Sequence, residues 1–159
     1  MAELKSTLKV FNEKEIDGGG MKVGVEVKAI QSRKILIGSD ERPTERLRVH
    51  LNIFKPGTKV PLHWHLIEAV YYVIRGRAVM EDIEGKKHEV GPGGVVYYPA
   101  GIAGAHSWEI IEEMELISIR ATTGREKMIQ FSIDPTTKVS SIKFDDVLRC
   151  GGAEFKSLY

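Results

Sequence analysis

The segment Leu47–Phe54, LRVHLNIF, alternates apolar and polar residues without a break. A period of two fits a β-strand and cannot gather apolar residues on one side of a helix. Leu47, Val49, Leu51 and Ile53 share one face, and Arg48, His50 and Asn52 share the other. Pro56-Gly57 then stops the run. Further β-favouring runs, some alternating and some continuously apolar, lie at Met21–Ile30, Lys34–Ile37, Val70–Ile74, Arg77–Ile83, His88–Val90, Val95–Tyr98, Met114–Ala121 and Lys127–Ile133. Turn signals separate them, among them Gly38–Thr44, Glu84–Lys87 and Gly91–Gly94. Many short strands with closely spaced turns predict an all-β sandwich or barrel. One short C-terminal helix is expected near Phe144–Leu148, where Asp145 and Asp146 suit a first helical turn.

A chain of 159 residues suits a single domain. Residues 1–20 end in Gly18-Gly19-Gly20 and read as a flexible lead-in. Residues 21–133 form the expected barrel, and 134–159 a C-terminal extension. Lys and Arg total 23 against 22 for Asp and Glu, a formal net charge of +1. That balance argues against a protein that coats nucleic acid or an anionic membrane. No apolar run approaches the ~20 residues of a membrane helix, and MAELKSTLKV carries no signal-peptide core. Cys150 is alone, so no internal disulfide can form, and no role is assigned to it. A soluble, cytoplasmic protein is the expectation.

Chemistry enters with the histidines, which are His50, His63, His65, His88 and His106. In an extended segment His63 and His65 share a face about 6.5–7 Å apart. Two imidazoles so placed can converge on a metal with bonds of about 2.1 Å. On spacing alone, most such pairs are surface or polar-core histidines. Trp64 would face away from both and pack between sheets or subunits.

The surroundings of this pair resemble the cupin superfamily. Gly57 precedes His63 by six residues, His65 follows, and Gly76 closes a first motif. Gly93, Pro99 and Gly101 match a second motif, with His106 two residues later than its usual histidine. The resemblance covers roughly residues 45–121. It implies a double-stranded β-helix, or jelly-roll barrel, with one divalent transition metal (Fe, Zn, Ni or Mn) near one mouth. His63 and His65 match the first two histidine ligands, and His106 stands nearest the third. The family's ligand glutamate falls on Ala69, which cannot bind a metal. Glu68 is adjacent, but one step along a strand reverses the side chain, so only a bulge would bring it in.

Several other residues carry two readings. His50 either lies on a solvent face or lines the barrel mouth. Tyr71-Tyr72 and Tyr97-Tyr98 should each turn one ring inward, where a tyrosine such as Tyr71 can serve the site or simply pack. Trp108 would share the face of His106 and wall the pocket. Arg75 and Arg120 either form surface ion pairs or meet a substrate carboxylate. His88 should be exposed.

The resemblance implies a metal-dependent enzyme. The first expectation is a non-haem Fe(II)-type dioxygenase acting on a small chelating compound, enolisable or hydroxylated. Three histidines without a glutamate favour that reading. A cupin-type isomerase, lyase or cyclase, or a non-catalytic small-molecule-binding cupin, is the alternative. A homodimer is expected, with residues 21–37 and the tail around Phe155 and Tyr159 as contact candidates.

Overall fold

The computed structural model describes residues 8–17, 30–121 and 130–141. The candidate helix at Phe144–Leu148, Cys150, Phe155, Tyr159 and most of the run Met21–Ile30 lie outside these residues. Eleven strands are described: β1 (Ile30–Ile37), β2 (Leu47–Phe54), β3 (Lys59–His65), β4 (Ala69–Arg75), β5 (Ala78–Asp82), β6 (Lys87–Val90), β7 (Val95–Tyr98), β8 (His106–Ile110), β9 (Met114–Ala121), β10 (Gln130–Ile133) and β11 (Ser140–Ser141). They form two antiparallel sheets, in the orders β1-β2-β9-β4-β7 and β11-β10-β3-β8-β5-β6. This is the expected jelly-roll. Among the described residues no helix is long and apolar enough to cross a membrane.

The interior has an apolar end and a polar end, and β9 shows why. Met114, Leu116, Ser118 and Arg120 alternate inward along it, so its buried face changes from apolar to polar. Across the register, Leu116 faces Asn52 on β2 and Val73 on β4, while Ser118 faces His50 and Tyr71. Val73, Met114, Leu116, Ile110, Ala78 and Met80 make the apolar core. The polar side of LRVHLNIF is therefore its inner side: His50 is 1% exposed and Asn52 3%, whereas Leu47 is 47% exposed. A solvent-facing His50 is excluded.

The turns follow their glycines. Gly57, Gly76, Gly93 and Gly101 all adopt positive φ, a region other residues enter only with strain. Gly76 shows a second constraint, because a Cβ there would run into the backbone of Glu113 and Met114. In the β5–β6 hairpin, Asp82 Oδ1 accepts from the amides of Glu84 and Lys86. His88 is exposed and meets Asp82 at 2.9 Å, as expected of a surface residue.

Candidate metal centre and adjoining cavity

His63 and His65 come from the end of β3, and His106 opens β8. His63 and His106 are direct cross-strand partners. Ring centroids lie 4.8 Å apart for His63 and His65, 4.5 Å for His63 and His106, and 5.5 Å for His65 and His106. One ligand atom from each lies within 4.8 Å of the others, and all three side chains are buried.

Local sequence orients two of these rings. Pro61 has no amide hydrogen for the ladder, and the β3–β8 register slips between Val60 and His63. The Pro61 carbonyl accepts a hydrogen bond from His63 Nδ1 at 2.8 Å. On the facing strand, the Gly104 carbonyl accepts from His106 Nδ1, also at 2.8 Å. A carbonyl can only accept, so both rings carry their hydrogen on Nδ1 and leave the Nε2 lone pair free. Histidines that hold metals are commonly fixed in this way. His65 has both ring nitrogens buried without a partner. The late arrival of His106 also has a cause: Ile102–Gly104 winds a short 3₁₀ turn that takes up the extra residues.

Burial favours the neutral imidazole in all three. His63 is held down to about 4, and His65 and His106 well below the ordinary imidazole range, with the Arg120 charge acting in the same direction. Tyr98 stacks on His106 at 3.8 Å between centroids, which restrains that ring further. Three buried, neutral imidazoles with unpaired nitrogens fit a divalent transition ion.

Glu68 stands apart from this group. Inward alternation runs unbroken through His65, Ile67, Ala69 and Tyr71, so Glu68 falls on the outward parity. It is exposed, and its carboxylate accepts a hydrogen bond from Tyr97 at 2.9 Å. No bulge brings it inward, and Ala69 occupies the buried position beside it.

A cavity adjoins the imidazoles, with roughly 500 Å³ of empty space including its open mouth. His63, His106, Tyr71, Trp108, Arg120 and Arg33 line it. Tyr71 and Trp108 thus stand where the sequence put them, at the pocket, while Tyr72 and Tyr97 face outward. His50 lies one layer away, with Nδ1 3.3 Å from Ser118 Oγ and Nε2 unpartnered. Burial first, then Arg120, Arg33 and Arg48, push its pKa down to about 2. Arg75 pairs with Glu113 and Glu115 on the surface, at 2.6 and 2.7 Å. A surface ion pair is overturned for Arg120, which is only 6% exposed and points inward at the polar end of β9. Trp64 packs neither between the sheets nor on the histidines; it stacks on Phe131 of the neighbouring β10 at 4.1 Å and donates to Ser140.

Arg33 and Asn52 were not legible as site residues. Arg33 sits in a short run whose apolar half, Lys34–Ile37, is all that periodicity registers. Asn52 shows only as a polar residue beside His50. The one available signal was parity, since Asn52, His50 and Arg48 alternate with the apolar face.

Comparison with known proteins agrees with this architecture. A family model described as the cupin domain matches residues 50–120. No curated protein sequence matches the chain. Among solved structures, the polyketide cyclase RemF of Streptomyces resistomycificus superposes with a TM-score of 0.58 at 19% identity, covering 72% of this chain and 78% of that one. KdgF of Halomonas sp. gives 0.57 at 23%, covering 71% and 94%. The DMSP lyase DddQ of Ruegeria pomeroyi DSS-3 gives 0.52 at 18%, covering 71% and 55%. The chain spans about half the length of the DMSP lyases it matches. Identities this low carry the fold and not the reaction.

Proposed function

Because the chain belongs to the cupin superfamily, we propose that its barrel is a metal-dependent enzyme acting on a small chelating compound. The observation that carries this reading is the pair of Nδ1 hydrogen bonds to Pro61 and Gly104, which leave Nε2 of His63 and His106 as the ligand atoms, within a cluster of three buried histidines whose ligand atoms lie within 4.8 Å of one another. His63, His65 and His106 would hold the ion. A divalent metal there would supply Lewis-acid polarisation of a substrate oxygen and, as Fe(II), electron transfer with dioxygen.

The remaining work falls to the chain's own groups. Trp108 and the apolar side chains behind it exclude water from one wall of the cavity. The Tyr71 hydroxyl accepts from Arg120, so its own hydrogen is available to a substrate oxygen. The first reading is a non-haem Fe(II)-type dioxygenase of an enolisable or hydroxylated compound. A donor set of neutral imidazoles, with Glu68 turned outward, supports it. A lyase, cyclase or isomerase of the same kind of substrate is the second reading, supported by the Tyr71 hydroxyl, which Arg120 holds at the cavity wall with its own hydrogen free for a substrate oxygen.

Metal analysis of protein purified without chelators tests the shared part. Roughly stoichiometric metal that disappears in His63→Ala is expected. Folded protein that takes up no transition metal would overturn the enzyme reading in favour of a non-catalytic binding barrel. Oxygen uptake by Fe(II)-loaded protein with β-diketones and catechols then separates the two reactions: uptake supports the dioxygenase, and substrate loss without uptake supports the second.

A further inference from the structure

Among the described residues, the polar end of the barrel carries positive charge with no buried carboxylate to balance it. Arg120 is 6% exposed, and its Nε has no hydrogen-bond partner. Its Nη2 donates to the Tyr71 hydroxyl, which is neutral. Arg33 is half-buried on the edge strand β1, and its Nε donates to Asn52 Oδ1 at 2.9 Å, again a neutral acceptor. Both guanidiniums line the cavity that His63 and His106 line. Among the described residues none of the buried polar side chains is a carboxylate, and no carboxylate lines that cavity.

A guanidinium withdrawn from water is costly unless an anion accompanies it. Two of them in one cavity also repel. Burial and the Arg120 charge lower Arg33 to about 10, which still leaves it a cation near neutrality. Neutral imidazoles contribute no offset, and a bound divalent ion would add further positive charge. The balance has to arrive with the ligand.

We propose that Arg120 and Arg33 form a carboxylate subsite facing the imidazole cluster, so that the substrate is a small carboxylic acid. The carboxylate would meet the Arg120 guanidinium where it lines the cavity, while chelating oxygens elsewhere in the same molecule point toward His63 and His106. A carboxylate is flat and singly charged and meets a guanidinium edge to edge. Tyr71 and Asn52 each hold one guanidinium by a hydrogen bond, which restrains its orientation before the ligand arrives. This assignment rests on the metal-enzyme reading for the chelating half of the substrate, and stands on the arginines alone for the carboxylate half.

The test is calorimetric titration of the full chain, metal-free and metal-loaded, with three probes: malonate, its carboxylate-free isostere acetylacetone, and inorganic phosphate. Malonate should bind even the metal-free protein. Arg120→Gln and Arg33→Gln should each weaken it by at least about 10-fold, the loss expected for one charged hydrogen bond. Acetylacetone, which chelates as a singly charged enolate, should lose less affinity for the metal-loaded protein than malonate does. Arg33→Gln alters a half-buried edge residue and keeps the test alive should Arg120→Gln not fold. Unchanged malonate affinity in a folded Gln variant, or phosphate binding tighter than malonate, would overturn the carboxylate subsite. Metal content measured on the same samples keeps the two ideas apart. A protein that binds malonate through both arginines but takes no metal would sink the enzyme reading and leave the subsite standing.

Discussion

Arg120 of β9 donates to the Tyr71 hydroxyl of β4 over 2.7 Å, inside the barrel and diagonally across the register in which Tyr71 faces Ser118. The bond joins a buried cation to its phenolic acceptor at the wall of the cavity. Tyr71→Phe keeps the ring and removes the oxygen. Arg120 then keeps its burial and loses an acceptor, at a cost of about 1–3 kcal/mol. For a chain of this size that corresponds to a fall of several degrees in Tm. Circular dichroism melts of the two proteins check it. An unchanged Tm would mean that Arg120 finds water or another acceptor at no cost. Turnover should also fall in Tyr71→Phe while metal content does not.

Gly76 combines a positive φ with close approach to the Glu113 backbone. Gly76→Ala adds both left-handed strain, about 1–3 kcal/mol, and a clash that only backbone movement relieves. Urea unfolding should show a lower midpoint by at least that strain. Gly57 also has a positive φ but nothing near its absent Cβ, so Gly57→Ala should cost less. Equal losses at the two positions would contradict the close-approach argument.

Glu68 is bonded to Tyr97 on the outer surface. Glu68→Gln should therefore leave metal stoichiometry and affinity as they are, whereas His65→Ala should lower affinity by orders of magnitude. Metal analysis after dialysis against a weak chelator distinguishes them. A large loss of affinity in Glu68→Gln would show that the carboxylate swings inward when metal binds.

Much of this was legible in the chain, and the limits have physical causes. Strand positions followed from period and turn chemistry, and β2, β7 and β9 fall where alternation and glycine or proline stops put them. The strand β8, HSWEI, carries a weak sequence signal because its alternation begins with a histidine and a serine rather than an apolar residue. Which face of a strand points inward was harder. Periodicity defines two faces and does not say which is buried, and in β2 the polar face is the inner one. The histidine cluster was readable only through the family resemblance, because the spacing of His63 and His65 alone fits a polar pair and His106 comes from another strand. Arg33 was not, because it reaches the cavity from an edge strand far away in sequence, through a register that only folding reveals.

The buried His50 makes a prediction about acid. Its pKa is about 2 in the folded chain, lowered first by burial and then by Arg120, Arg33 and Arg48, against about 6.5 for an exposed imidazole. Between those values the unfolded chain binds a proton that the folded chain refuses. Stability therefore falls as pH drops below about 6.5, by up to about 1.4 kcal/mol per pH unit for this one group. His63, His65 and His106 are shifted the same way and add to the effect in metal-free protein. Asp82, lowered chiefly by its bond to His88, and Asp134, lowered by the Thr137 and Thr136 amides, act in the same sense but only within the carboxylate range. The window from pH 6.5 to 5 thus isolates the imidazoles. His50→Gln removes one titrating site and keeps a polar side chain beside Ser118. Urea unfolding at pH 7, 6 and 5 should give a shallower pH slope for this variant than for the parent, by close to one proton at the acid end. Parallel curves would mean that His50 is already solvated enough to protonate in the folded barrel.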